Sequence, residues 1–474
     1  MRNQTQLITY VDRLGGGGLR ELAALLDGPL AGLFGGVHLL PFFDPIDGAD
    51  AGFDPIDHTR VDPRLGDWAD VRGLGARTDV MADLIANHVS AQSPQFRDFV
   101  AHGDASHWAG LFLTRDSVFP GGATPDELAR IYRPRPGAPF TDVRLASGET
   151  SALWTTFTSN QIDIDVHHPA GREYLLSILD RFASCDVRTI RLDAAGYAIK
   201  KRGTSCFMLP ETFAFIREIA TRAHERGIEV LVEIHSHVAT QVTIAKQVDW
   251  VYDFALPPLV LHALCHGTTE ALKHWIRVRP RNCITVLDTH DGIGIVDIGA
   301  DGENPGLVPP IEIDRLVEHI HEQSGGQSRQ ATGASASNLD LYQVNCTYFD
   351  ACGRDTETYL AARALQLFLP GVPQIYYMGL LGGTNDMELL ERTRVGRDIN
   401  RHYYTRAEIE SALGDPMVQR LCELIRLRNS HPAFQGEFEL LESPAHVLRL
   451  RWTAGRDRAE LTVDFRRPSF VVTT

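Results

Sequence analysis

The stretch Thr189-Ile190-Arg191-Leu192-Asp193 decides the fold, because an apolar run ends there on an arginine and an aspartate two residues apart. Three more apolar runs end in polar side chains, at Asp83 to His88, at Glu233 and at Thr289-His290-Asp291. Buried groups of this kind need desolvated partners, so their position at the ends of apolar runs is poor for stability and indicates function. Parallel barrel strands, whose carboxyl ends meet on one face, explain the pattern.

Eight apolar runs have the length and the two-sided apolar character of buried parallel strands. They are Gln6–Tyr10, Gly36–Phe43, Val80–His88, Thr189–Asp193, Glu229–His235, Trp250–Leu256, Cys283–Asp291 and Val372–Met378. Helical stretches with one apolar stripe lie between most of them, such as Glu211–Arg226, which follows Pro210 and ends at Gly227. The alternation predicts an α/β fold, a (β/α)8 TIM barrel.

Two connections are too long for plain barrel loops, and we expect them to be inserted subdomains that shape a site. From Phe438 onward apolar and polar residues alternate, which predicts a small antiparallel β domain whose shortness raises the question of truncation. The predicted parts are the barrel at 1–88, 168–291 and 356–435, a first insertion after strand 3 at 89–167, a second after strand 7 at 292–355, and the C-terminal β domain at 436–474.

The composition indicates a protein that binds neither nucleic acid nor a membrane. The 46 Lys and Arg residues stand against 61 Asp and Glu residues, a net charge of −15 that repels polyanions. The N-terminal segment lacks a signal-peptide pattern, and no apolar run reaches the ~20 residues that span a bilayer. Seven cysteines are scattered singly without a CxxC motif, so we expect free thiols and a cytoplasmic location.

The four polar segments resemble the conserved regions of the α-amylase superfamily of glycoside hydrolases and transglycosylases. The matching residues, in order, are Asp83-x-x-x-Asn87-His88, Arg191-x-Asp193, Glu233 and His290-Asp291. The resemblance implies that Asp193 is the nucleophile, Glu233 the general acid/base and Asp291 the carboxylate that stabilises the transition state. Retaining glycosidases work with such a pair of nucleophile and acid. Thr189-Ile190 and Thr289 depart from the commonest pattern, but neither departure removes a catalytic group.

Longer stretches resemble the sucrose phosphorylase subfamily of that superfamily. They are Gln6–Gly15, Asp47–His58, Ile131–Gly137, Val286–Gly294, Asn338–Gln343 and Gly396–Tyr403. The resemblance implies that sucrose and phosphate are converted to α-glucose 1-phosphate and fructose through a covalent glucosyl–Asp193 ester. It implies neither a metal nor another cofactor, and it makes a homodimer a reasonable expectation.

The same resemblance assigns the substrate-binding residues. The donor subsite would consist of Asp50, Phe53, His88, Arg191, His290 and Arg397. The acceptor side would consist of Arg135, Tyr197, His235, Asp340, Leu341, Tyr342 and Gln343. Attack by phosphate requires fixed donors for a dianion and exclusion of water, and Arg135, Arg397 and His235 are suited to supply the donors. A solvated loop charge is the plain alternative for Arg135.

Other functions stay open at this point. Related phosphorylases act on sucrose 6'-phosphate, glucosylglycerol or glucosylglycerate, and hydrolysis or transglucosylation of sucrose is a further alternative. The stretch Asn338–Gln343 has no cationic residue, which favours a neutral acceptor such as fructose. A non-catalytic barrel that serves as a binding subunit is disfavoured, because all three carboxylates are retained.

Overall fold

Eight strands form a closed barrel in the computed structural model, which describes residues 1–48, 50–134, 137–302, 304–332 and 343–474. Numbered β1 to β8 in chain order, they are Gln6–Thr9, Gly36–Leu39, Asp79–Ile85, Val187–Asp193, Glu229–Val232, Trp250–Asp253, Cys283–Thr285 and Val372–Tyr376. Each strand is hydrogen-bonded to its neighbours in chain order, and β8 is bonded to β1. The pairing is parallel. The predicted (β/α)8 barrel is confirmed.

Several strands end before the apolar runs that predicted them. β5 ends at Val232 and β7 ends at Thr285, so Glu233 and Asp291 lie in the connections that follow. Apolar residues beyond these ends, such as Ile234 and Leu287, are nevertheless buried. They are buried outside the barrel sheet, which is why the sequence pattern did not distinguish them from strand residues.

The helices lie mostly in the connections between barrel strands. The α-helices are Leu19–Asp27, Trp68–Gly75, Pro94–His102, Arg115–Val118, Pro125–Ala129, Pro169–Ala183, Pro210–His224, Val238–Ala245, Leu256–His266, Glu270–Val278, Pro310–Gln323, Gln327–Thr332, Tyr348–Ala351, Thr356–Phe368, Tyr377–Leu380, Met387–Thr393, Arg406–Leu413 and Pro416–Ser430. Short 3-10 helices are Gly103–Ala105, Ala109–Leu111, Ala195–Tyr197, Val296–Ile298, Gly396–Asn400 and Pro432–Gln435. Proline at the first position of many α-helices presets the helical φ where no N–H is needed.

Short ribbons of two strands accompany the barrel. They pair Leu14–Gly15 with Tyr404–Thr405, Phe43–Asp44 with Asp57–Val61, His88–Ser90 with Gln161–Asp163, Phe140–Arg144 with Thr150–Trp154, and Ile293–Gly294 with Gln343–Val344. Two of these ribbons begin or end at residues that the sequence assigned to the site, His88 and Gln343.

The chain forms two units, each with its own internal contacts. One consists of Met1–His38, His235–Lys246 and Trp250–Thr474, and the other of Leu39–Ile234 and Gln247–Asp249. The second unit contains an apolar cluster of Leu113, Phe119, Ile131, Trp154 and Cys206. The boundaries that the sequence proposes for the two insertions, 89–167 and 292–355, stay predictions.

The chain ends in a four-stranded antiparallel sheet, as the alternating pattern predicted. Its strands are Glu437–Leu441, Val447–Ala454, Asp457–Asp464 and Ser469–Thr473. Leu448, Leu450, Leu461 and Val463 are fully buried on one face. Trp452 Nε1 donates to the Phe368 carbonyl oxygen at 2.6 Å and so fixes the sheet to the helix Thr356–Phe368.

None of the helices in the described part of the chain has both the length and the apolar character needed to cross a membrane.

Candidate active site

Arg191 connects the acidic side chains at the ends of β3, β4 and β5. The parallel register places it opposite Asp83 on β3 and Leu231 on β5. Its Nη1 donates to Asp83 Oδ1 at 2.6 Å and to Asp193 Oδ1 at 2.7 Å. Its Nη2 lies 3.9 Å from Glu233 Oε1. A buried guanidinium shared in this way balances the carboxylates and fixes the orientation of Asp193.

The backbone after Asp193 is held in an uncommon conformation. Ala194 has φ 54° and ψ 21°, the left-handed region that non-glycine residues rarely adopt. Its N–H donates to Glu233 Oε2 at 3.3 Å. Conformations of this kind cluster at functional sites, where surrounding contacts hold them in place. Here the turn brings a backbone donor to Glu233 directly after the residue that the sequence assigns as nucleophile.

His88 lies on the short ribbon after β3, opposite Asp163. Its Nε2 donates to the Phe53 carbonyl oxygen at 2.9 Å, and the Asn87 amide lies 3.4 Å from its Nδ1. Burial lowers the pKa of His88, so the imidazole is neutral at pH 7. The sequence assigns His88 to the donor subsite, and a donation from Nε2 to a sugar hydroxyl there requires the bond to Phe53 to be shared or exchanged.

The segment that follows β2 places Asp50 and Phe53 together. Phe53 N donates to the Asp50 carbonyl oxygen at 3.1 Å, and Asp50 is half-buried. The Phe53 ring is 6% exposed, and the Arg191 guanidinium carbon lies 5.6 Å from its centroid. A cation over an aromatic face is attracted to it. Phe53 thus contacts the same arginine that orients Asp193, and the two residues were assigned to the same donor subsite.

Lys200 supplies a positive charge beside Asn87. Its Nζ donates to Asn87 Oδ1 at 3.0 Å, lies 2.7 Å from Asp163 Oδ2 and also contacts the Tyr197 carbonyl oxygen. The side chain is 1% exposed. Three oxygen atoms around one buried ammonium group satisfy its donors. Asn87, which lies between β3 and the short strand His88–Ser90, is therefore fixed by an ion-pair network.

Tyr197 lies one short turn after Asp193, in the 3-10 helix Ala195–Tyr197. Its ring is 9% exposed and contacts Tyr132, Phe157 and Phe207 at centroid distances of 6.2, 5.1 and 4.7 Å. The cluster makes Tyr197 part of an aromatic wall. Its assignment to the acceptor side stays a prediction.

Asp291 is held by arginines from the segment Gly396–Tyr403. Arg397 Nη1 lies 2.8 Å from Asp291 Oδ1, and Arg401 Nη2 lies 3.9 Å from the same oxygen. His290 Nε2 is 3.8 Å from Asp291 Oδ2. The Asp291 side chain is 10% exposed and that of Arg397 is 24% exposed. The structure thus brings together His290, Asp291 and Arg397, three residues that the sequence assigned to one site.

Arg401 lies in the stretch Gly396–Tyr403, which resembles the family, but the sequence did not suggest a role for it. It is fully enclosed, with 1% of its side chain exposed. Its Nε donates to the His290 carbonyl oxygen at 2.9 Å, and its guanidinium carbon lies 5.8 Å from the Tyr10 ring centroid. Arg401 therefore fixes the backbone at His290 and adds positive charge beside Asp291. The stretch Gly396–Tyr403 contains both arginines, and nothing in its sequence shows which of them supports the backbone at His290 and which contacts Asp291 directly.

His235 is oriented by Asp297, a residue that sequence reasoning missed. His235 Nδ1 lies 2.9 Å from Asp297 Oδ2. Asp297 Oδ1 accepts hydrogen bonds from Ser236 N at 3.2 Å and from Gln241 Nε2 at 3.1 Å. The Asp297 side chain is fully buried. A carboxylate can only accept hydrogen bonds, so the His235 nitrogen that faces it, Nδ1, carries the ring hydrogen. Asp297 therefore accepts from three donors.

The other side of His235 contacts Gln343 and Phe254. The Phe254 ring stacks on the imidazole at 3.9 Å with an interplanar angle of 13°. Gln343 Nε2 donates to His235 Nε2 at 3.3 Å, and Gln343 Oε1 accepts from Gly292 N at 3.2 Å. His235, Phe254 and Asp291 line one cavity. His235 and Gln343, which the sequence assigns to the acceptor side, thus lie in contact, and the assignment itself stays a prediction.

Four predicted acceptor-side residues, Arg135, Asp340, Leu341 and Tyr342, lie outside the residues that the structure describes.

The barrel and its strand-end carboxylates define a glycoside-processing barrel of the α-amylase class. Residues 32–263 match the family described as "Alpha amylase, catalytic domain". The whole chain is 60% identical over 474 residues to a sucrose phosphorylase of Agrobacterium vitis, of which 97% is covered. It is 52% identical over 470 residues to a sucrose phosphorylase of Bifidobacterium adolescentis, with 98% of this chain and 93% of that one covered.

Comparison with a solved structure places the chain in the same family. The crystal structure of sucrose 6F-phosphate phosphorylase from Thermoanaerobacter thermosaccharolyticum matches with a TM-score of 0.92 at 38% identity, covering 100% of this chain and 95% of that one. The chain belongs to the sucrose phosphorylase family of enzymes.

Proposed function

We propose that this protein is a phosphorylase of sucrose, converting sucrose and phosphate to α-glucose 1-phosphate and fructose. Two relatives that align over essentially the whole chain, at 60% and 52% identity, are sucrose phosphorylases. The observation that carries the chemistry is the guanidinium of Arg191, which lies 2.7 Å from Asp193 Oδ1 and so aims one carboxylate oxygen. Small sugars and phosphate are the only partners that this reaction needs.

In the first step, Asp193 attacks the anomeric carbon of the glucosyl unit. The bond from that carbon to the fructose oxygen breaks, and Glu233 transfers its proton to this oxygen as fructose leaves. Asp291, held by Arg397 and Arg401, stabilises the positive charge that develops on the sugar ring. The product of this step is a β-glucosyl ester of Asp193, as in retaining glycosidases.

In the second step, a phosphate oxygen attacks the anomeric carbon of the ester. Asp193 leaves as carboxylate, and Glu233 accepts the proton that the phosphate loses. Two inversions restore the α configuration. The N–H of Ala194 donates to Glu233 Oε2 at 3.3 Å and so orients the carboxyl group for this proton transfer.

The choice of phosphate over water is assigned to the cationic and imidazole groups. Arg397 is partly exposed beside Asp291, and His235 is held by Asp297 so that its Nε2 faces Gln343. This nitrogen donates to phosphate only when the ring carries a second proton, and the Asp297 carboxylate then balances the positive charge. We assign Arg135 and the residues Asp340, Leu341 and Tyr342 to the same acceptor side on the basis of family resemblance. Fixed donors for a dianion favour phosphate at the ester.

The glucosyl unit is assigned to the residues around Arg191 and His290. Phe53 offers an apolar ring, and Asp50 and His88 offer hydrogen-bonding groups on the same segment and ribbon. His290, whose carbonyl oxygen is fixed by Arg401, offers its imidazole from the loop after β7. A ring platform with a few oriented polar groups is the usual composition of a sugar site.

An acceptor screen tests the substrate. Glucose 1-phosphate is supplied with fructose, fructose 6-phosphate, glycerol or glycerate, and phosphate release is measured. We expect fructose to give the highest kcat/KM. Fructose 6-phosphate is the principal competitor, because the solved relative at 38% identity is a sucrose 6F-phosphate phosphorylase. A higher kcat/KM with any of the other three acceptors would overturn the assignment to sucrose while leaving the chemistry intact.

The nucleophile is tested by Asp193→Asn, with Asp180→Asn on an exposed helix position as the matched control. We expect the first variant to lose phosphate release with every acceptor and the second to retain it. Full activity in Asp193→Asn would contradict the covalent mechanism.

We also propose a cytoplasmic homodimer. All seven cysteines are free, and six of them are buried, which supports a reducing compartment. Sedimentation of the purified chain at several concentrations tests the dimer, and a mass of one chain throughout would contradict it.

A further inference from the structure

Two histidines and a glutamate, none of them assigned to catalysis, gather on two helices. His262 and His266 lie one turn apart on the helix Leu256–His266, so they share one face. Glu312 lies in the first turn of the helix Pro310–Gln323. His262 Nε2 is 2.7 Å from Glu312 Oε2. One ligand atom from each of the three residues lies within 4.8 Å of the other two.

The cluster has features that an ordinary surface ion pair lacks. The His262 side chain is only 3% exposed, whereas Glu312 is 35% exposed and leaves the cluster open to solvent on one side. The two imidazole centroids are 4.5 Å apart with an interplanar angle of 35°. His266 Nε2 is buried and has no hydrogen-bond partner among the described residues. A buried ring nitrogen without a partner costs free energy unless a ligand satisfies it.

We propose that His262, His266 and Glu312 form a binding site for a divalent transition-metal ion, with zinc as the best-suited ion. Two imidazole nitrogens and one carboxylate oxygen are ligands that zinc accepts, and softer or harder sites would carry thiolates or only oxygens. Tetrahedral zinc with bonds of about 2.0–2.2 Å separates its ligand atoms by roughly 3.3–3.5 Å. The present cluster reaches this spacing by small side-chain shifts.

Coordination replaces one existing contact. Beside a carboxylate, the hydrogen of the His262 ring lies on Nε2. When the metal binds this nitrogen, the hydrogen moves to Nδ1, and the Glu312 oxygen that accepted it becomes a ligand. His266 Nε2 gains the partner that it lacks, and the fourth position is left to water.

The role of the site is structural. The residues between the histidines are Ala263, Leu264 and Cys265, so this helix lacks the glutamate that follows the first histidine in the His-Glu-x-x-His motif of zinc hydrolases. The ligands come from two helices that the metal would connect. Metal binding to the folded chain alone stabilises it by mass action.

The experiment titrates metal-free protein with zinc by calorimetry and with Co(II) by its visible ligand-field absorption. We expect one ion per chain and tetrahedral-type cobalt bands. His266→Ala and Glu312→Gln should each weaken zinc binding by roughly 10- to 100-fold or more. Removal of a residue that only hydrogen-bonds to a metal ligand already has an effect of this size. His274→Ala, at an exposed position of the neighbouring helix Glu270–Val278, is the matched control and should bind as the unmodified protein does.

Thermal midpoints complete the test. Zinc should raise the midpoint of the unmodified chain and of His274→Ala, and at the same zinc concentration should raise that of His266→Ala and Glu312→Gln clearly less. The metal-free midpoints of these two variants show that they fold. Absence of binding to the unmodified chain, or equal affinity in all four proteins, would overturn the site. Sucrose phosphorolysis has no part in this readout, so either proposal can fail alone.

Discussion

His235 Nδ1 lies 2.9 Å from a carboxylate oxygen of Asp297 that has no exposure to solvent. The relationship fixes both the tautomer and the tilt of the imidazole, because the stacked Phe254 ring limits the remaining rotation. An imidazole held in this way presents Nε2 in one direction, and a charge that develops on the ring is stabilised by the carboxylate behind it. Asp297 is thus a positioning residue for His235.

Asp297→Asn should therefore reduce phosphorolysis without unfolding the chain. The amide has one acceptor oxygen where the carboxylate has two. Its NH2 group faces a donor of Ser236, Gln241 or His235, so at least one of the present hydrogen bonds is lost. Loss of a charged hydrogen bond of about 1.5–3 kcal/mol predicts a decrease in kcat/KM of roughly 10- to 100-fold. Initial-rate kinetics with sucrose and phosphate give the value. The control is Asp314→Asn, an exposed aspartate, and unchanged kinetics in both variants would contradict the role of Asp297.

Arg191→Lys tests the shared guanidinium. One ammonium group lacks the planar fork that reaches Asp83 and Asp193 from one nitrogen and approaches Glu233 with another. We expect kcat to fall about 100-fold or more, since two charge-assisted bonds of about 1.5–3 kcal/mol are disturbed. Arg188→Lys is the matched control, because Arg188 lies on the same strand and its side chain is 59% exposed. A kcat within error of the unmodified enzyme would show that Arg191 does not orient the nucleophile.

The barrel strands were predictable because each is a short run with apolar residues on both faces. Their ends were less predictable, as β5 and β7 show. Ile234 and Leu287 are buried although they lie beyond the sheet. An apolar run in the sequence indicates that residues are buried, but it does not show which of them are hydrogen-bonded in the sheet. The carboxylates Asp193, Glu233 and Asp291 stood out in the sequence because they follow apolar runs, and the roles that the family resemblance gives them stay predictions.

The supporting residues of the site were hidden from the sequence. Asp297 lies in a segment without periodicity, and its contact with His235 spans 62 positions of the chain. Arg401 differs from Arg397 only in burial and partners. Long-range pairs of this kind depend on the tertiary fold, and neither composition nor spacing reports them. The role of Lys200 was missed for the same reason.

Lys200→Met should destabilise the fold strongly. The substitution leaves the Asp163 carboxylate, which has 0% side-chain exposure, with the Thr156 N–H and hydroxyl but without its cation. Removal of one partner of a buried pair costs about 3–5 kcal/mol. Urea midpoints measure the loss, and adding Asp163→Asn should recover part of it. Lys201→Met, at a side chain 57% exposed, is the control. Equal midpoints for the two single variants would contradict the assignment.

His58 predicts how stability depends on pH. Burial lowers its pKa to about 4, and the ring packs on Phe43 at 4.4 Å while Nε2 donates to the Asp83 carbonyl oxygen at 3.0 Å. The unfolded chain, with a histidine pKa near ~6.5, binds the proton first as the pH falls. The stability from neutral His58 is therefore complete above pH ~6.5 and is lost progressively between ~6.5 and 4, by about 3 kcal/mol in all.

The measurement is the free energy of unfolding in urea at several pH values between 4 and 8. His58→Gln keeps an amide donor for the Asp83 carbonyl oxygen but does not titrate, so its stability should fall less steeply below pH ~6.5, by about one proton in slope. His167→Gln, at an exposed position, is the matched control and should keep the original slope. Identical slopes for all three proteins would mean that His58 takes up its proton as readily in the folded chain as in the unfolded one, and its burial would then not be the cause of acid instability.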